Sequence, residues 1–104
     1  TSSYTFKGFP PRKSGQRVRF FEEDADRPHT LVVFESPHRI AKMLADAHTA
    51  LGDRQAAVCI ELTKKFGRIE RGYLSDLAVA FAERTTKGEI TAVIAGNHPK
   101  FIRA

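Results

Sequence analysis

The chain has 104 residues, of which 17 are Lys or Arg and 12 are Asp or Glu, giving a net charge of +5. That length suits one small domain with one core, and no apolar stretch reaches the ~20 residues that cross a bilayer as a helix. A single cysteine, Cys59, excludes an intramolecular disulfide framework, and no signal-peptide pattern is visible, so a cytosolic protein is expected. The basic balance favours an anionic partner such as RNA. The opening TSSYTF lacks an initiator Met and reads as the start of a strand, as in a fragment of a longer protein.

Taken in order, YTFKGF (4–9) alternates like a half-buried strand, and PPRKSGQR follows as a basic loop. Ser14 is placed to cap a helix to about Asp26, with Val18, Phe21 and Ala25 inward. TLVVFE (30–35) is a continuous apolar run, the pattern of a strand covered on both faces. Ser36 then suits a helix cap and Pro37 the first helical position, where its missing N–H costs nothing. Ile40, Met43, Leu44, Ala47 and Leu51 fall on one helical face, and Gly52 ends that helix.

AAVCIELT (56–63) is a second buried strand, which makes Cys59 a buried structural thiol. KKFG turns the chain and RIERGY alternates like an edge strand. Ser75 is placed to cap a last helix, with Leu74 and Val79 as a hydrophobic staple and Leu77, Ala78 and Phe81 inward. KGEITAVIAG supplies a final inner strand, and NHPKFIRA is a tail. The order β-α-β-α-β-β-α-β predicts one α/β domain over 1–104, with a mixed five-stranded sheet and three helices. The runs at 30–35, 56–62 and 90–95 should lie inside the sheet, and YTFKGF and RIERGY near its edges.

Polar residues gather where the apolar strands end, in ESPHR (35–39) and ELTKK (61–65). In open α/β sheets the carboxyl ends of strands are where ligands bind. A rim carrying Glu35, His38, Arg39, Glu61, Thr63 and Lys64 suits either a polar ligand or a salt-bridge network. Arg39 lies one helical turn past Glu35, so its guanidinium can fold back on the carboxylate. No second His or Cys sits at ligand spacing, so no metal site is expected. Neither a nucleophile–base pattern nor a glycine-rich phosphate loop is present. The basic loops offer Arg12 and Lys13, then Lys64, Lys65, Arg68 and Arg71. With Arg39 at the rim, these are candidate RNA contacts or an ordinary solvated surface.

GFPPRK, TLVVFESPHRI, ELTKKF, IERGYLSDL and KGEITAVIAG, in this order, resemble the carboxyl-terminal half of the small-subunit ribosomal RNA (cytidine-2′-O)-methyltransferases. These enzymes form part of the tetrapyrrole methylase superfamily. The resemblance runs from about Phe6 to Gly96, and the tail has no counterpart. It implies the carboxyl-terminal lobe of a two-lobed α/β enzyme, with S-adenosylmethionine held between the lobes. The amino-terminal lobe, which carries the glycine-rich segments, would be missing, so the lobe alone should be inactive.

The resemblance further implies cofactor contacts at Phe34, Glu35, Ala57, Val58 and Thr91, a homodimer, and methylation of a ribose 2′-hydroxyl in small-subunit rRNA. That hydroxyl needs a proton acceptor. Glu35, His38 and Glu61 are the candidates in this chain, and no motif assigns the role to any of them. Two alternatives stay open: a non-catalytic RNA-binding or dimerisation module, and a methylase of a tetrapyrrole.

Overall fold

The computed structural model describes residues 3–61 and 67–104. The elements are β1 (Tyr4–Gly8), α1 (Ser14–Glu22), β2 (Thr30–Glu35), α2 (Ile40–Leu51), β3 (Asp53–Glu61), β4 (Arg68–Tyr73), α3 (Leu74–Ala82) and β5 (Glu89–Ile94). A short 3-10 turn, Pro99–Phe101, and a two-residue strand β6 (Ile102–Arg103) complete the chain. The sheet order is β1-β2-β5-β3-β4, with β6 joined to β3. β1 and β2 are parallel, and the other pairings are antiparallel. The sheet is therefore mixed, as expected, and has six strands where five were expected. The sixth comes from the tail. The three apolar runs are the inner strands, and YTFKGF and RIERGY are the edges.

The core lies on one face of the sheet. Leu31 and Val33 of β2, Ile90, Ala92 and Ile94 of β5, and Ala56, Val58 and Ile60 of β3 alternate inward. They meet Phe21 of α1, the α2 stripe Ile40, Met43, Leu44, Ala47 and Leu51, and Leu74, Leu77 and Phe81 of α3. The opposite face carries no helix among the described residues. The expectation that the apolar runs are covered on both faces is thus corrected: Val32, Val93, Ala57 and Cys59 are only half-buried. Cys59 accordingly sits on the open face rather than in the core.

α1 packs on α2 through a charged contact. Arg17, 2% exposed, donates from Nε to Asp46 Oδ2 at 2.8 Å and from Nη1 to the Arg12 carbonyl at 3.1 Å. Arg17 and Phe21 therefore form the buried face of this helix, with Val18 half-buried. The helix stops at Glu22, short of the expected Asp26, and turns at Asp24 and Ala25 carry the chain on. Gly52 ends α2 as expected: its φ of 84° is open to glycine, and its N–H bonds the His48 carbonyl at 2.9 Å.

All three serine caps are corrected. Ser14 donates to Asp46 at 3.0 and 3.1 Å instead of capping α1. Ser36 lies before a turn, α2 begins only at Ile40, and the Ser36 hydroxyl is buried without a partner among the described residues. Ser75 sits inside the first turn of α3, where Asp53 of β3 accepts from its N–H at 2.9 Å and its hydroxyl at 2.6 Å. The staple is absent as well, because Val79 is 60% exposed while Leu74 is buried. Among the described residues no helix is long and apolar enough to cross a membrane.

Candidate functional site

The sheet brings the two polar strand ends to one rim. β2 and β3 both run antiparallel to β5, which lies between them, so they point the same way. Glu35 and Ile60 both align with Ile90, and Glu61 aligns with Glu89. Glu35 and Glu61 thus share the rim, but they face opposite sides. Glu35 is 3% exposed on the helix side, whereas Glu61 is exposed.

Glu35 is held by its own motif. Oε2 accepts from the Ser36 N–H at 2.7 Å and lies 3.4 Å from Arg39 Nε, which forms the anticipated ion pair. Its other oxygen, Oε1, is buried without a hydrogen-bond partner among the described residues, as are Ser36 Oγ and Thr86 Oγ1. Buried acceptors and hydroxyls left unpaired cost free energy, and a donor arriving from outside the chain would recover it. Ser36 adjoins Glu35 in sequence, and Thr86 lies in the segment leading into β5, which starts at this same end of the sheet. His38 is exposed beside them.

The candidate cofactor residues divide by face. Phe34, Thr91 and Ala57 lie on the open side: Phe34 aligns with Thr91, and Phe34 is 38% exposed. Glu35 and Val58 turn their side chains into the helix layer, which leaves Val58, 0% exposed, only its backbone to offer a ligand. Beyond Phe34 the open face carries Phe6 and Phe9, whose ring centroids stand 5.0 and 5.6 Å from that of Phe34.

Of the candidate RNA contacts, Arg12 and Lys13 are exposed in the loop whose carbonyls Arg17 holds. Arg68 is exposed and 3.0 Å from Glu70, and Arg71 is exposed on β4. Arg39 is committed to Glu35. Lys64 and Lys65 lie outside the described residues, as do Thr63 and the turn between β3 and β4. Among the described residues no cluster of His, Cys, Asp and Glu could hold a metal ion.

Sequence reasoning missed the opposite end of the sheet. The tail folds back there, and β6 pairs with Asp53 and Arg54 of β3. Arg103 Nε donates to Asp53 Oδ2 at 2.8 Å, its Nη2 donates to Asp76 at 2.7 Å, and its guanidinium lies 4.2 Å from the Tyr73 ring centroid. Burial pushes the Asp53 carboxyl up, but the Ser75 hydroxyl and amide and the Arg103 guanidinium more than reverse this and hold it below its ordinary value. Arg54, 1% exposed, donates to the carbonyls of Leu51, Ala95 and Ala25. Only the charged residues of GDRQ and the unplaced tail could have signalled this corner.

No protein-family model matches the chain. It is 45% identical over 97 residues to a protein from Mycobacterium bovis named ribosomal RNA small subunit methyltransferase I, covering 92% of this chain and 34% of that protein. Proteins of the same name from Streptococcus pyogenes serotype M3 and Halalkalibacterium halodurans are 40% and 39% identical, over 89% and 96% of this chain. The chain thus spans about a third of the length of these relatives. Among solved structures, a cobalt precorrin-4 methyltransferase of cobalamin biosynthesis matches the fold with a TM-score of 0.57 at 18% identity, over 90% of this chain and 41% of that one. By sequence, the chain is similar to about a third of the length of proteins named ribosomal RNA small subunit methyltransferase I, and its fold is similar to that of a cobalt precorrin-4 methyltransferase.

Proposed function

We propose that this chain is the carboxyl-terminal lobe of an S-adenosylmethionine-dependent methyltransferase that modifies a ribose 2′-hydroxyl of small-subunit rRNA in the cytoplasm. Its relatives' printed name supports the rRNA substrate. The structural observation that carries the reading is the set of buried oxygens Glu35 Oε1, Ser36 Oγ and Thr86 Oγ1, which have no hydrogen-bond partner among the described residues. A nucleoside cofactor brings an amine and hydroxyls that can donate to such acceptors. Exposed Phe34 and half-buried Thr91, paired across β2 and β5, offer further contact at this end of the sheet on its open face. The residues present therefore fit the cofactor, with the rest of its cleft supplied by a second lobe.

The cofactor supplies a methyl group on a positively charged sulfur, already a good leaving group. This chain's part is to position and to take a proton. Glu35 is buried and engaged by Arg39 and the Ser36 amide, so it acts as a positioning residue rather than as the proton acceptor. Exposed His38 and Glu61 are the acceptors this rim can present to a ribose hydroxyl. Placing nucleophile and methyl carbon in line supplies much of the remaining rate. A homodimer of the complete enzyme belongs to the same proposal.

Isothermal titration calorimetry of the 104-residue chain with S-adenosylmethionine tests the divided site. We expect no micromolar binding, because this lobe offers one side of the cleft. Micromolar affinity would contradict it.

A further inference from the structure

A concavity of about 580 Å³ opens at the far end of the sheet from the Glu35–Glu61 rim. It lies where β2 and β3 begin and β4 and β5 end, and its volume falls within the ~300–1,000 Å³ of ordinary ligand sites. Its floor is low because Ala57, Gly72 and Ala95 have little or no side chain. Two aromatic rings, Tyr73 and Phe101, form part of its wall. Arg103 stacks at 4.2 Å from the Tyr73 centroid, and the Phe101 N–H bonds the His98 carbonyl at 2.9 Å.

The charge of this cavity is one-sided. No acidic residue lines it, and Arg71 does. The nearby carboxylate of Glu70 is taken by Arg68 at 3.0 Å and Arg84 at 2.5 Å, and Arg71 has no ion pair among the described residues. Exposed Lys100 adds a second cation, with Nζ 5.9 Å from the Phe101 centroid. A shallow floor of small residues, two pre-set aromatic walls and unneutralised cations suit a flat ring carrying a negative charge. That is the chemistry by which unpaired nucleotides are held: stacking for the base, and a cation for the phosphate.

We propose that this cavity binds an unpaired nucleotide of the RNA substrate, with the base against Tyr73 and Phe101 and the phosphate at Arg71 and Lys100. The proposal rests on the RNA reading above and adds an anchoring subsite at the end of the sheet opposite the methyl-transfer rim. It also gives the tail a role, since the tail supplies Phe101 and, through Arg103, fixes Tyr73.

The test uses the 104-residue chain and a single-stranded RNA decamer, with amide NMR shifts to map binding and fluorescence anisotropy to measure it. Shifts should cluster at residues 55–57, 71–73 and 101. Phe101→Ala should weaken binding ~10-fold, as loss of one stacked base does. Arg71→Ala, at an exposed edge position that leaves folding intact, should lower the slope of log affinity against log salt by about 1. A duplex of the same sequence should bind more weakly. Shifts confined to residues 34–39 and 59–61, with both variants binding like wild type, would overturn the subsite and leave the RNA reading standing. Equal binding of duplex, or cavity shifts that follow protein dilution without RNA, would also overturn it, the latter making the cavity an interface between copies. No RNA binding even at low salt would overturn both.

Discussion

Glu35 and Arg39 show how one ion pair can set a rim. The carboxylate is 1% exposed by side chain and the guanidinium 30%, at 3.4 Å. Replacing Arg39 by Ala leaves a buried carboxylate with only the Ser36 amide, so stability should fall by about 1–2 kcal/mol, or ~5–10 °C in Tm. His38 is exposed, and His38→Ala should stay within ~0.5 kcal/mol of wild type. Thermal melts of the two variants check this. An Arg39→Ala variant that melts like wild type would remove the pair from the structural role. The i, i+4 spacing made this pair legible in the sequence. Arg17 and Arg54 were not legible, because the acceptors that bury them include Asp46, 29 residues from Arg17, and the Ala25 and Ala95 carbonyls, 29 and 41 residues from Arg54.

Element boundaries followed tertiary contacts wherever local rules competed with them. Ser14 and Ser75 carry the local signature of N-caps, yet each hydroxyl serves an aspartate of another element, Asp46 or Asp53. For α3 the cap is thus made across the fold: the Asp53 carboxylate accepts an N–H of the first turn, where the helix dipole also favours an anion. Because the folded pKa of Asp53 is lowered, its ionised form contributes stability above the unfolded value of ~3.9, and that contribution is lost as pH falls through the lowered folded value. Asp53→Asn should therefore cost ~0.5–2 kcal/mol at pH 7 and flatten the acid limb below about pH 4. Urea midpoints measured from pH 2 to 7 decide it. A mutant with the wild-type acid limb would assign that limb to other carboxylates.

At the scale of the molecule, strand order was the most legible feature. The apolar runs 30–35, 56–62 and 90–95 had to be inside, and alternation put RIERGY at an edge. Apolar runs alone could not tell one covered face from two, and here the second face is open, with Phe6, Phe9 and Phe34 clustered on it. The rim was legible as a set of polar strand ends. The division of its residues between two faces was not, because it depends on register: Glu35 falls in phase with Val33, and Glu61 with Cys59. The cavity beside the tail was hidden because Phe101 reaches it only when β6 pairs with β3.

The proposed activity is methyl transfer to rRNA by a two-lobed enzyme of which this chain would be one lobe. The direct measurement is transfer of a labelled methyl group from S-adenosylmethionine to small ribosomal subunits, with the product nucleotide analysed for 2′-O-methylation. A protein of the relatives' full length that carries this lobe should label one ribose 2′-oxygen of the small-subunit rRNA, and the 104-residue chain alone should label none. Label appearing on a tetrapyrrole and not on rRNA, or activity from the 104-residue chain by itself, would contradict it.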